Sequence, residues 1–158
     1  MTKFNPILRS RESAHAASVS NLGMGFFYGG RIMSIEEMAG YNVKLVELEE
    51  LKGQILTSVD VEKDGICFCT THGKKYYLYH RQDCCEVVSI ESVDGDVENL
   101  TNEPIIVALE RSVEDSNAID SGTYQWYIFA TWKGAVVIRF HGTSNGCYGE
   151  TASLFTRI

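Results

Sequence analysis

Proline is almost missing from this chain, with two in 158 residues. That scarcity, with no low-complexity run, argues against long disordered segments. Long hydrophobic runs are missing too. No stretch reaches the roughly 18 apolar residues that a membrane helix needs, so no membrane partner is expected. Basic residues are the scarcer charge, 14 Lys and Arg against 21 Asp and Glu, for a net charge of −7. A phosphate backbone is gripped by clustered Lys and Arg, so direct binding of nucleic acid is not expected. An acidic protein that covers the basic surface of a nucleic-acid-handling protein remains open. The cysteines number five, an odd count. The N-terminal MTKFNPILRSRESAHAA lacks the apolar core of a signal peptide. A reducing cytoplasm is therefore expected, with the cysteines as thiols or metal ligands rather than disulfides.

What is present is ordinary globular material, 44% hydrophobic and 22% charged. The length suits one domain with a real core. Composition shifts near residue 45. Residues 1–44 read as an arm, in which NLGMGFFYGGR sets Phe26, Phe27 and Tyr28 among glycines. Such an arm can order on a partner or on a second copy of the chain. SIEEM has the form of a capping box: Ser34 caps the amide of Glu37, and Glu37 reaches back. Gly40 suits the end of that short helix. A second short helix is expected over VELEELK, ending at Gly53.

From Ile55 the period becomes two. ILTSVDV, ICFCTT, KYYLYHR, EVVSIESV, PIIVALERS, TYQWYIFATW, AVVIRF and CYGETASLF read as strands, divided by turn residues. The expected class is mainly β, α+β at most. It is an antiparallel sandwich or strongly curved sheet of about eight strands over residues 45–158, with helices confined to the N-terminal part. A hairpin turning at Lys133-Gly134 puts Tyr127, Phe129, Val136, Ile138 and Phe140 on a core side. Trp126, Ile128, Trp132, Arg139 and His141 fall on the other, which is either partly wet or an interface.

Three candidate arrangements could carry chemistry. In YHRQDCCE, five residues able to bind metal or move protons, His80, Asp83, Cys84, Cys85 and Glu86, fall within seven positions. If the preceding hairpin turns at Gly73-Lys74, residues 67 and 80 face each other. Cys67, Cys69 and His80 then share a face, with Cys84 or Cys85 able to close a zinc set. A one-residue slip breaks that cluster, and free cysteines also serve as small apolar core residues. The reading adopted has no metal and no other cofactor; Cys67, Cys69, His80 and Cys84 are the metal alternative. A thiol nucleophile would use Cys84 or Cys85 with His80 as base and Asp83 or Glu86 orienting it. The plainer account has His80 and Asp83 bonding to backbone at a strand end. The third candidate is GTSNGCYGE. Ser144-Asn145-Gly146 is a tight turn, with Asn145 or Gly146 left-handed. Tyr148 and Glu150 then share one face of a following strand. Free amides there could hold a small polar ligand.

The run YxLYHxQDCCExV, then DGD, then PIIVALE, then KGxVxIRxxGxSNGxYxE occur here in that order. This set resembles an uncharacterised family of small domains found mainly in bacteriophages and prophages, and it covers about residues 46–158. The family's shared polar set would fall on His80, Asp83, Cys84, Cys85 and Glu86, with Ser144, Asn145, Gly146, Tyr148 and Glu150. Cys147 and Gly149 depart from the pattern, where an aromatic and a serine are usual. The resemblance implies a small protein made in the cytoplasm of an infected host.

Together these features lead to an expected function: a non-enzymatic phage protein that inhibits a host defence system by occupying a partner surface, in the manner of anti-CRISPR proteins. The partner would be a host protein, such as a nucleic-acid-handling complex, and self-association is open. Its contact residues would be the shared polar set with Trp126, Arg139 and His141, since interfaces favour aromatic and arginine anchors. One alternative is a sponge for a host nucleotide signal, needing Arg81, Arg111 and Arg139 to converge. The other is a zinc- or thiol-dependent protein centred on the cysteines and His80.

Overall fold

The computed structural model describes residues 27–28 and 31–158. Most of the glycine-rich arm, Phe26 included, lies outside the described residues. Within it, β1 (Phe27–Tyr28) pairs antiparallel with β2 (Arg31–Ile32), a short ribbon where the sequence reads as an unpaired arm.

The remaining strands form two antiparallel sheets, nine strands in all where about eight were expected from the turn signals. One sheet holds β3 (Val43–Leu45), β4 (Leu56–Glu62), β5 (Gly65–Thr70), β6 (Lys75–Tyr79) and β11 (Ser153–Arg157), in the order β3-β11-β6-β5-β4. The other holds β7 (Val87–Asp94), β8 (Val107–Glu114), β9 (Ser121–Thr131) and β10 (Gly134–Ser144), in the order β7-β10-β9-β8. The second sheet is a Greek key, because β7 closes onto β10 rather than onto its neighbour in sequence. The chain crosses between sheets through residues 80–86 and returns before β11, so both motif-bearing loops are crossovers.

The core lies between the sheets. Leu56, Ile66, Phe68, Tyr76, Leu78 and Leu154 face Ile90, Ala108, Tyr127, Phe129, Val136, Ile138 and Phe140. Phe68 meets Phe129 edge-on at 5.2 Å, and Phe140 meets Tyr127 at 5.6 Å. Each such side chain stabilises the fold by roughly 1.5–3 kcal/mol through burial. The core also holds a polar thread. Tyr127 Oη donates to the Ala152 carbonyl at 2.7 Å and accepts from Gln125 Nε2 at 3.0 Å, while Gln125 Oε1 accepts from the Ala152 amide at 2.7 Å. It joins β9 to the segment leading into β11. Leaving such buried groups unpaired costs about 1–3 kcal/mol each.

The outer face of the five-stranded sheet is covered by α1 (Ile35–Ala39). The capping box is as the sequence predicts: Ser34 Oγ accepts from the Glu37 amide at 3.1 Å, and Glu37 Oε2 accepts from the Ser34 amide at 3.0 Å. A five-residue helix cannot stand alone, and the sheet holds both its ends. Asp64, in the β4–β5 turn, accepts from the Ile35 amide at 2.9 Å. Arg157 of β11 donates to the carbonyls of Met38 and Ala39. Ile35, Met38 and Ala39 then pack on Cys67, Tyr77 and Tyr79. The expected helix over VELEELK is one 3-10 turn, Leu48–Leu51, and β3 precedes it.

Two hairpin registers differ from those expected. β9 and β10 pair Thr131 with Gly134, so the turn is Trp132-Lys133. The faces survive: Tyr127, Phe129, Val136, Ile138 and Phe140 are all buried. β5 and β6 pair Cys67 with Tyr77 and Cys69 with Lys75. Gly73, at φ +77°, is the left-handed last residue of a three-residue loop. Thr70 Oγ1 closes that loop onto Lys74. Here the displacement is odd, so Leu78, which the expected register would set on the Cys67 and Cys69 face, lies on the core face, and His80 falls beyond the end of β5.

Candidate functional site

The YHRQDCCE stretch is a crossover tied around one buried carboxylate. Glu86 is 2% exposed. Its Oε1 accepts from His80 Nε2 at 3.0 Å and from the Asp83 amide, and its Oε2 accepts from the Cys84 amide at 3.0 Å. Gln82 Nε2 donates to the Glu86 carbonyl at 2.8 Å. The His80 hydrogen bond, with the Asp83 and Cys84 amides, outweighs burial and holds the Glu86 carboxyl at about 2. His80 Nδ1 lies 2.9 Å from the Thr151 carbonyl oxygen. Both ring nitrogens thus face oxygen atoms.

This arrangement decides several expectations. His80 has no nitrogen left to activate a cysteine, so the thiol-nucleophile geometry does not form. Cys84 and Cys85 are both exposed side by side, with their sulfurs in contact. The Asp83 side chain is exposed, and only its amide serves the knot.

The SNG stretch is a second knot of the same kind. Glu150 is 7% exposed. Its carboxylate accepts from Ser144 Oγ at 2.6 Å and from Thr123 Oγ1 at 3.1 Å. Burial pushes this carboxyl upward, but hydroxyl donors from Ser121, Ser144 and Thr123 outweigh it and leave it lowered. Gly146 is the left-handed residue of the turn, at φ +82°. Gly142 is glycine for another reason: a Cβ there would run into the Glu150 carbonyl, which crosses directly over it. The turn's amides are not free for a ligand. The Gly146 amide donates to Ser144 Oγ and the Cys147 amide to Asn145 Oδ1, both at 3.0 Å. Residues 147–152 are not a strand, which begins only at Ser153. Tyr148 is half-buried, and its carbonyl accepts from Ser144 Oγ at 3.2 Å.

The two knots meet. His80 holds Thr151, next to Glu150, and an open groove of about 340 Å³ runs between Cys85, Ile119, Asp120 and the Ser144-Asn145 turn. The shared polar set therefore gathers at one end of the sandwich, largely spent on its own loops. A separate groove of about 560 Å³ lies by α1, where Arg81 faces Glu36 and Glu37. One arginine against two carboxylates is poorly suited to phosphate.

The third cluster is the outer face of the four-stranded sheet. Tyr124, Trp126 and Ile128 of β9 lie beside Val137, Arg139 and His141 of β10 and Leu109, Arg111 and Val113 of β8. Arg111 and Arg139 flank Trp126 in one cross-strand row. Tyr124 stacks on His141 at 4.4 Å, and the Arg139 guanidinium lies 5.8 Å from the Tyr124 ring centre. His141 Nε2 is 3.0 Å from Asp115 Oδ2. Arg139 Nε sits 2.8 Å from Glu91 Oε2, an ion pair whose angle falls outside hydrogen-bond geometry. Trp132 is 81% exposed at the hairpin tip. Lys133 Nζ bonds to the carbonyls of Glu98 and Thr101 and holds that tip against the 94–101 segment. Asp94, Asp96 and Glu98 of that segment are exposed.

The proposed zinc set does not assemble. Cys67 and Cys69 sit under α1 on the outer face of the five-stranded sheet, while His80 and Cys84 belong to the crossover knot. The donor that the thiols do meet is Asp60. Sequence reasoning missed it, because Asp60 reaches Cys67 only through the β4–β5 register. It also missed the Gln125–Tyr127–Ala152 thread, whose only sequence signal is a polar Gln125 on a core-facing position.

These features define a two-sheet antiparallel β protein whose motif residues fasten its crossovers. The chain belongs to the family described as Domain of unknown function (DUF7448), whose model matches residues 49–154 and so contains both knots. No curated protein and no solved structure matches the chain. Among the described residues, no helix is long and apolar enough to cross a membrane.

Proposed function

We propose that this is a non-enzymatic binding protein, made by a phage in the host cytoplasm, that inhibits a host defence system by covering a basic surface of a host protein. One observation carries the reading. The outer face of the four-stranded sheet leaves Leu109 and Val113 in contact with solvent at 39% and 58% exposure, and Trp132, in the turn at its hairpin tip, is 81% exposed. Aromatic anchors with arginine beside them are the usual energetic centre of a protein interface. Near Trp132 the rim is acidic, with Asp94, Asp96 and Glu98, which suits a basic partner such as a nucleic-acid-handling protein. The polar motif residues support the contact indirectly, by fixing the loops at the end of the sandwich. A nucleotide sponge is less well served: Arg81 lies in the α1 groove, away from Arg111 and Arg139.

The test is a phage-plating assay on a defended host, paired with quantitative capture of partners by the tagged protein. Wild type is expected to raise plating, and Trp126→Ala with Trp132→Ala, or Asp94→Lys, to remove that effect along with the captured host protein. Equal capture and equal protection by the folded variants would move the interface elsewhere. Protection without any captured protein, or with a nucleotide bound, would favour the sponge.

A further inference from the structure

We infer that Asp60, Cys67 and Cys69 form a binding site for a thiophilic divalent cation, Zn²⁺ in a cell, on the outer face of the five-stranded sheet. Cys67 and Cys69 are two apart on β5, so both project from the same face. Their sulfurs are 3.9 Å apart. With metal–sulfur bonds of about 2.3 Å, that separation subtends roughly 116° at a shared ion, between tetrahedral and trigonal geometry. Asp60 is the direct cross-strand partner of Cys67 on β4. The two sulfurs and its carboxylate oxygen all lie within 4.8 Å of one another. Among the described residues, no other three such donors gather this closely.

Simple packing accounts for the thiols but not for the acid. Cys67 is fully buried and Cys69 partly so, beneath Ile35 and Met38. An apolar pair needs no carboxylate beside it. Asp60 is only half-buried, accepting from Ser58 Oγ at 3.3 Å, so its second oxygen can turn toward the sulfurs. Two thiolates select against Mg²⁺ and Ca²⁺, and the carboxylate makes a Cu⁺ site less natural. Two thiolates and a carboxylate bring three negative charges to a divalent ion, and Lys75, cross-strand from Cys69, offsets the remainder. The donor set leaves a fourth position for water or a further ligand. Because β4 is the sheet's edge, the ion would tie that edge strand to β5.

The test uses Co²⁺ and Cd²⁺ as probes on the full chain, with metal analysis and native mass spectrometry on Zn²⁺-loaded protein. One equivalent of Co²⁺ is expected to give a thiolate charge-transfer band that Zn²⁺ bleaches. Cys69→Ser is expected to abolish the band and Asp60→Asn to weaken binding at least tenfold, while Cys147→Ser, an exposed thiol outside the three-donor cluster, leaves both unchanged. Should Cys69→Ser fail to fold, alkylation of Cys69 in the wild type provides the second readout, and Zn²⁺ should slow it several-fold. Absence of a thiolate band, a band that survives in folded Cys69→Ser, or one that depends on Cys84 and Cys85 would overturn the site.

Discussion

The two sheets of this sandwich are built from similar strands, yet their outer faces have different fates. On the five-stranded sheet, α1 seals Cys67, Tyr77 and Tyr79, and Tyr77 and Tyr79 are each 1% exposed. On the four-stranded sheet, Tyr124, Trp126 and Ile128 occupy equivalent outward positions and none is fully buried. An alternating strand with large apolar residues on both faces needs cover on both. One sheet takes its cover from its own chain. The other has no helix over it among the described residues, and it is the face to which the proposed partner would bind.

Truncations on the two faces should separate them. The largest effect is expected from Phe129→Ala, between the sheets, at about 3–5 kcal/mol, followed by Ile35→Ala in α1 at about 2–5 kcal/mol. Ile128→Ala on the bare face should cost about 1 kcal/mol or less. Urea unfolding midpoints measure all three, and equal losses for Ile35→Ala and Ile128→Ala would mean that the second face is also covered.

The Glu86 knot should reveal itself in acid. A carboxyl held at about 2, against an ordinary 4.5, stabilises the fold fully above pH 4.5 and loses that contribution as pH falls toward 2. Glu86→Gln is expected to be less stable at neutral pH and to show a flatter stability curve between those values. A curve parallel to wild type would remove Glu86 from the account. Smaller still, Ser34→Ala should cost about 1 kcal/mol through the lost cap, read as a lowered unfolding midpoint. Smallest in stability, Trp132→Ala should stay within about 0.5 kcal/mol. The same change should abolish partner capture, which sets exposed binding residues apart from the staples.

The two misplaced hairpin registers show what the sequence could convey. For β9–β10 the expected pairing was out by two, which leaves every side chain on its proper face. For β5–β6 it was out by three, which exchanges faces and built the zinc cluster around His80 on paper. The difference lies in the turns. Thr70 closes its own loop with a side-chain hydroxyl, an interaction that alternation cannot reveal. The capping box at Ser34 was legible because all its partners lie within four residues. The long-range ties of the two knots were not: His80 finds Thr151 71 positions away, and Thr123 finds Glu150 27 positions away. Residue types suited to catalysis are also those suited to tying a loop, and only tertiary geometry tells them apart.

The place of β11 has a consequence for biosynthesis. It sits between β3 and β6, bonded to both, so residues 43–45 have no strand neighbour until residues 153–157 exist. As the nascent chain leaves the ribosome, β4, β5 and β6 can form a meander, but the flank of β6 stays open until residues 153–157 are made. For that interval the growing polypeptide carries an unsatisfied sheet edge, the kind of surface that chaperones shield and that neighbouring nascent chains can join in error.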